Sequence, residues 1–264
     1  MRILCAVLVA LAVSRELRAD DAATARHLLQ GVRAFKAERY DEALVELRVV
    51  ARAADAPADL AYYLGPTLYK LQRYDEALAV FVASRAAPDA LTDFYLGQTC
   101  YQLRLFRKAR SVFAELRARG LGPVLHEAAG RYIALVDATY QTPPPAGSID
   151  YYVSEGIART ASAPAVAAEY LDEARQVESL AREPHRHLEI LERLAAAWND
   201  SGRPQRVLGL AIEPAPSLEL SWQRARAFAA TGDAARARAL LEAIRKAQAA
   251  RAAEAEALLA QLPP

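Results

Sequence analysis

The stretch Ala58-Asp59-Leu60-Ala61-Tyr62-Tyr63-Leu64-Gly65, continued by Leu68-Tyr69 and Gln72-Arg73-Tyr74-Asp75-Glu76-Ala77-Leu78 and closed by Phe81 and Pro88, decides the fold. Apolar residues recur three and four apart on both sides of the polar break at Gln72-Arg73, the period of two short helices that each bury one face. The break is a turn. Gly65 and Ala77 fall where two antiparallel helices would cross, small enough to let the backbones approach, and Phe81 is expected to fill the seam one turn further on. A single hairpin of this size cannot bury its own apolar face, so neighbours of the same kind are expected.

Such neighbours exist. Gly31, Tyr40, Asp41-Glu42-Ala43 and Leu47 precede Gly65, Tyr74, Asp75-Glu76-Ala77 and Phe81 by a constant 34 residues. Leu96-Gly97, Phe106, Ala109 and Phe113 give a third copy, with Gly97 32 residues after Gly65. The three copies cover about 24–57, 58–91 and 90–123, and Gly120 with Gly122-Pro123 ends the third. A further helix over about 124–140 should stack on it. Thr142-Pro143-Pro144-Pro145-Ala146-Gly147 then reads as a stiff, non-helical connection, because each proline removes a backbone donor and blocks the preceding turn.

The pattern resembles the tetratricopeptide repeat (TPR) family. Leu64-Gly65 and Ala77-x3-Phe81 match its signature, while Ala61 stands in place of the Trp, Leu68 replaces the first Tyr, and Pro88 comes about one residue early. The resemblance implies an all-α fold, a right-handed superhelical solenoid of antiparallel helix hairpins. Beyond the proline connection the period persists and the signature fades. Helices are expected over 149–160 and 164–181, over 184–199 and 204–212 around Gly202, and over 218–231 and 234–249 around Gly232-Asp233. Residues 251–262 are expected to cap the end. In the last full hairpin Ala225, Phe228, Ala237 and Leu241 occupy family positions. The expected organisation is a leader (1–19), an N-terminal repeat block (20–142), a linker (143–147) and a degenerate helical block (148–264).

Composition excludes some functions. The 264 residues are 53% hydrophobic and carry 33 Lys and Arg against 32 Asp and Glu, a net charge of +1 that argues against a dedicated nucleic-acid binder. Met1-Arg2, the apolar run Ile3 to Val13 and Leu17-Arg18-Ala19 ahead of Asp20-Asp21 read as a secretory signal, with a second cleavage candidate at Ala12-Val13-Ser14. The run is too short for a membrane span of about 20 residues. Cys5 opens that run instead of closing it, so no lipid anchor is expected. With the leader removed, Cys100 is the one cysteine left, expected as a core thiol, and neither a disulfide nor a cysteine metal site is expected.

Catalytic motifs are not found. His126-Glu127 begins like the zinc string H-E-x-x-H, but Gly130 stands where the second His is required. His185 and His187 are two apart, pointing to different sides of a helix, and read as surface residues. Gly120-Leu121-Gly122 continues without a third Gly or a Lys-Ser/Thr pair, so it is no phosphate loop, and no G-x-S-x-G elbow occurs. The pairs Asp41-Glu42 and Asp75-Glu76 recur at one repeat position near a helix start, where negative charge is favoured; Asp172-Glu173 is a further acidic pair. No enzyme and no cofactor or metal is expected.

What the resemblance selects is an inner groove lined by the first helix of each hairpin. Its fifth, ninth, twelfth and thirteenth positions correspond to Leu28, Val32, Phe35 and Lys36, to Tyr62, Pro66, Tyr69 and Lys70, and to Phe94, Gln98, Tyr101 and Gln102. These form a ladder of aromatics with two lysines at its edge, the side-chain types that dominate binding hot spots. Tyr40, Tyr74, Phe81 and Phe113 are assigned to the core. Tyr62 and Pro66 occupy two positions where the family's carboxylate clamp would need other residues, so an apolar, extended or helical peptide is the expected partner. The reading is a non-enzymatic scaffold, adaptor or assembly factor of the bacterial cell envelope, periplasmic or secreted, with a protein or peptide partner; the sequence leaves the oligomeric state open. A self-associating structural subunit, or a ligand-binding or enzymatic site in the C-terminal half, are the alternatives.

Overall fold

The computed structural model describes residues 22–53, 56–57, 59–84, 89–120, 122–140, 147–180, 186–210, 217–247 and 251–263. The proposed leader, Pro88, His185 and the linker apart from Gly147 lie outside them. All regular structure among the described residues is helical. The chain forms two compact units, one of the described residues up to Arg104 with Ala109–Ala134, the other of Leu105–Lys108 with Leu135 onwards.

In the first unit α1 (residues 22–36) pairs with α2 (Tyr40–Ala51), and α3 (Leu60–Lys70) with α4 (Tyr74–Ala83). Next come α5 (Ala90–Gln102), α6 (Phe106–Ala118) and α7 (Pro123–Thr139). α6 and α7 each begin or end in the other unit. Successive helices pack on their neighbours, α3 touching α2, α4 and α5.

The seam is built from glycines facing large residues 16 positions on. A Cβ on Gly31 would lie 2.8 Å from Leu47, one on Gly97 2.7 Å from Phe113, and one on Gly65 would overlap the Phe81 ring. Ala43, Ala77 and Ala109 on the second helices are all fully buried. Only glycine admits this approach. Gly65→Ala is therefore expected to lower stability by about 1 to 3 kcal/mol through overpacking, although alanine is the better helix former. A urea midpoint equal to or above the parent's would show that the Phe81 ring moves aside at no cost.

The turns repeat as closely as the seams. α1, α3 and α5 end on Glu38, Gln72 and Arg104, which hold φ of 58°, 58° and 62°. Their amides donate to Phe35, Tyr69 and Tyr101, and the next amide reaches back to Ala34 in the first turn and Leu68 in the second. This is the Schellman termination, normally made by glycine. Here a polar side chain holds the left-handed position, which hides the turn from a reader looking for Gly.

In the second unit α8 (Ser148–Arg159) packs on α9 (Pro164–Glu178), α9 on α10 (His187–Asp200), and α10 on α11 (Pro204–Leu208) and α12 (Leu218–Ala230). α13 (Ala234–Lys246) follows α12, and α14 (Ala252–Gln261) closes the run against α13. The same turn returns with glycine at Gly202 (φ 71°) and Gly232 (φ 86°), with back-bonds from Arg203 to Trp198 and from Asp233 to Phe228. The glycine seam returns once, since a Cβ on Gly156 would lie 2.7 Å from Leu171. Ala225 and Leu241, also 16 apart, are both fully buried in one cluster. α11 stops at Leu208, short of the expected Ile212, where Gly209, a poor helix former, takes the C-cap.

α9 is the centre of this unit, and it buries three carboxylates among its apolar contacts: Glu169, Glu173 and Glu178 are 3%, 1% and 0% exposed. Each serves a neighbouring segment. Glu169 meets Lys108 Nζ at 3.1 Å and Arg203 Nη1 at 2.8 Å. Glu173 accepts the backbone amides of Arg107 at 2.7 Å and Lys108 at 3.1 Å. Glu178 accepts the Arg186 amide at 2.6 Å, just ahead of α10, and lies 3.3 Å from His187 Nδ1. The first turn of α6 is thereby closed by an acid from another helix instead of by a local cap, and the residue ahead of α10 is held by a second such acid.

Candidate partner-binding face

The first helices of the hairpins, α1, α3 and α5, carry the expected ladder, and α7 extends it. Phe35, Tyr62, Tyr69, Phe94, Gln98 and Tyr101 are half-buried, and Lys36 and Lys70 are exposed. Leu28 and Val32 are half-buried, Gln102 is exposed, and Pro66 is buried inside α3. Tyr40 and Tyr74, assigned above to the core, are also half-buried; Phe81 and Phe113 are the true core rings, at 6% and 0% exposure. The reason is position. Tyr40 and Tyr74 open the second helix of their hairpins, where a ring reaches the side of the first helix at Phe35 and Tyr69 but not the seam.

The rings form runs. In one, Phe35 meets Tyr40 and Tyr63 edge-on at 5.9 Å each, and Tyr63 meets Tyr62 at 4.8 Å. In another, Tyr69 contacts Tyr74 at 5.5 Å and Tyr95 at 5.3 Å. In the third, Tyr132 of α7 stacks on Phe113 at 4.8 Å and 14°, with Phe94 at 5.6 Å and Tyr101 at 6.2 Å edge-on to it. Gln98 Nε2 donates to the Tyr132 hydroxyl at 2.6 Å. Offset and edge-to-face pairs of this kind contribute beyond their buried area and fix ring orientation. Each of these rings is thereby held by at least one other ring.

Burial raises the Tyr62, Tyr69 and Tyr95 phenols above their usual value. The Asp89 carboxylate adds to this at Tyr62, and a hydrogen bond from Gln102 opposes it at Tyr69. These hydroxyls stay protonated at physiological pH and present donors as well as apolar surface. Pro66 has no N–H for the Tyr62 carbonyl four residues before it, and Thr67 Oγ1 donates to the next carbonyl, that of Tyr63, at 2.6 Å.

Sequence reasoning missed Tyr63, Tyr95 and Tyr132. Tyr132 lies 34 residues after Gln98, the same step that relates Val32 to Pro66, so carrying the register into α7 would have found it. Tyr63 and Tyr95 are one place beyond the chosen positions and 32 apart, matching Gly65 and Gly97.

Among the described residues no group of His, Cys, Asp or Glu side chains could hold a metal ion, and no helix is long and apolar enough to cross a membrane. Cys100 is buried. His187 is a surface residue, as expected, but its ring approaches the buried Glu178.

No protein-family model matches the chain, and no curated protein matches it. Among solved structures, the P58(IPK) TPR domain aligns with 95% of this chain and 68% of its own, at 15% identity and a TM-score of 0.40. A likeness that loose carries no argument; the helical-hairpin fold rests on the seams and turns described above.

Proposed function

We propose that the chain is a TPR-type, non-enzymatic protein-interaction scaffold or assembly factor, exported to the bacterial periplasm or cell envelope, that holds a peptide or helix of a protein partner on the aromatic face of α1, α3, α5 and α7. The observation that carries this is the ladder itself. Half-buried rings recur on successive first helices, locked by ring contacts, with neutral tyrosine hydroxyls and the exposed Lys36 and Lys70 at its edge. Such a surface offers large contact area at little entropic cost. An apolar segment bearing a few acceptors fits it, extended or helical. Export is supported by the Met1-Arg2 start and the apolar run from Ile3 to Val13.

Affinity capture from envelope extract with residues 20–264 tests the reading, run beside a Tyr62→Ala/Tyr69→Ala/Tyr101→Ala variant shown to be folded by circular dichroism. A protein retained by the parent and lost from the variant is the expected result. Equal retention by both would remove the site from this face.

A further inference from the structure

Charge is spread unevenly over the helices of the first unit. Neither α1 (residues 22–36) nor α3 (Leu60–Lys70) contains an acidic residue, while α1 carries Arg26, Arg33 and Lys36 and α3 carries Lys70. All four cations are exposed, and among the described residues their side chains make no hydrogen bond or ion pair. The acids of the first two hairpins sit on the second helices or in the turns. Glu46 pairs with His27, Glu42 with Arg39, and Glu76 with both Arg48 and Arg73. Glu38, in the turn two places after Lys36, pairs with neither lysine.

Towards α5 and α7 the charges cancel. Asp93 of α5 is paired with Arg119 of α6, and Glu127 with Arg131 on α7. Lys36 and Lys70 stand four residues, one helical turn, after Val32 and Pro66 on the lining of the aromatic face. Gln102 takes that place on α5, where its side chain donates to the Tyr69 hydroxyl. The face therefore has two lysines without a counter-ion at its α1 and α3 end, and an uncharged counterpart on α5.

Given the aromatic face as the working surface, on which this rests, we infer that the partner segment is acidic as well as apolar: side-chain carboxylates meet Lys36 and Lys70 on α1 and α3, and apolar residues cover the rings of α5 and α7. Phe35 of α1 touches Tyr63 of α3, so the two helices are in direct contact, and packed helix axes lie about 8 to 10 Å apart. Carboxylates three places apart in an extended segment, at about 3.3 Å per residue, span that step. One chain terminus cannot meet both lysines, and Tyr62 and Pro66 fill positions that a carboxylate clamp needs, so the acids are internal to the segment. Arg26 and Arg33, outside the lining positions, strengthen the positive potential of α1. Exposed pairs of this kind add little affinity each, but the field favours acidic segments and rejects basic ones.

The test is a random short-peptide library displayed ahead of a phage coat protein, so that no peptide has its own C-terminus, and selected on the full chain. Selected peptides are synthesised with both ends blocked. Their dissociation constants are measured for the parent, for Tyr62→Ala/Tyr69→Ala/Tyr101→Ala and for Lys36→Gln/Lys70→Gln. A fourth protein, Arg245→Gln/Lys246→Gln, loses the same charge from exposed positions in the other unit. Circular dichroism checks that all of them are folded. Peptides that need the rings are expected to hold more Asp and Glu than Lys and Arg, and to bind Lys36→Gln/Lys70→Gln roughly 3- to 10-fold more weakly than the parent, as two exposed ion pairs allow. Arg245→Gln/Lys246→Gln should bind them as the parent does. Ring-dependent peptides without an acidic excess, equal affinity for the parent and Lys36→Gln/Lys70→Gln, or an equal loss in both charge variants would overturn the acidic partner and leave the aromatic face standing. Peptides bound equally well by the ring variant, or no peptide selected at all, would remove the face as the working surface and the acidic partner with it.

Discussion

Phe113→Ala is expected to destabilise the first unit by about 3 to 5 kcal/mol, the range for removing a fully buried aromatic ring. The ring is 0% exposed, fills the space that Gly97 leaves open, stacks on Tyr132 and meets Phe94 edge-on. Its loss leaves a cavity bounded by two residues of the proposed binding face. Stability and partner binding should therefore fall together, unlike the outcome for a ring at the edge of the face. Phe113→Leu is the informative companion. Leu47 occupies the same place against Gly31 in the first hairpin, so leucine is tolerated there, and a loss of about 1 to 1.5 kcal/mol is expected. Urea unfolding of the two variants measures both, and a Phe113→Ala midpoint close to the parent's would contradict the seam.

Glu169→Ala is expected to cost about 3 kcal/mol, the low end for breaking a buried ion pair by removing one partner. The low end applies because Lys108 and Arg203 remain 24% and 20% exposed and regain some hydration. Burial opposes the charge on Glu169, but Lys108 and Arg203 together outweigh it and hold the carboxyl below its ordinary 4.5. A depressed folded value means stability that is present above 4.5 and lost as pH falls through the lower, folded value. Glu169→Ala should remove much of the acid-side loss of melting temperature. An unchanged acid limb would show that the pair with Lys108 and Arg203 is not what holds this carboxylate.

The first three hairpins could be read from the sequence because their crossings admit almost nothing but the residues found there. Gly31, Gly65 and Gly97 each face a large side chain 16 places on, and that spacing is visible without a structure. Their turns were legible only as polar breaks, since Glu38, Gln72 and Arg104 adopt a conformation that glycine takes at Gly202 and Gly232. The buried acids of α9 were not legible. Glu169, Glu173 and Glu178 follow one another at four and five residues, which in isolation describes a solvated helix face. Only the packing of α8 and α10 on α9, and the amides and cations brought to those carboxylates, reveals that they are interior. The proposed face was half visible: the register reached the rings from Phe35 to Tyr101, but Tyr132 stands in a helix whose glycine, Gly130, makes no close crossing to mark the register.

The affinity of the captured partner's binding segment for the parent and for Tyr62→Ala tests the central claim most directly. Tyr62 contacts Tyr63 at 4.8 Å but is not among the residues packed on the buried cluster of its unit, so its removal should leave folding intact. The account predicts a dissociation constant weaker by roughly 5- to 30-fold, about 1 to 2 kcal/mol, with the melting temperature of the free chain nearly unchanged. Equal dissociation constants for the two proteins would contradict the aromatic face as the working surface.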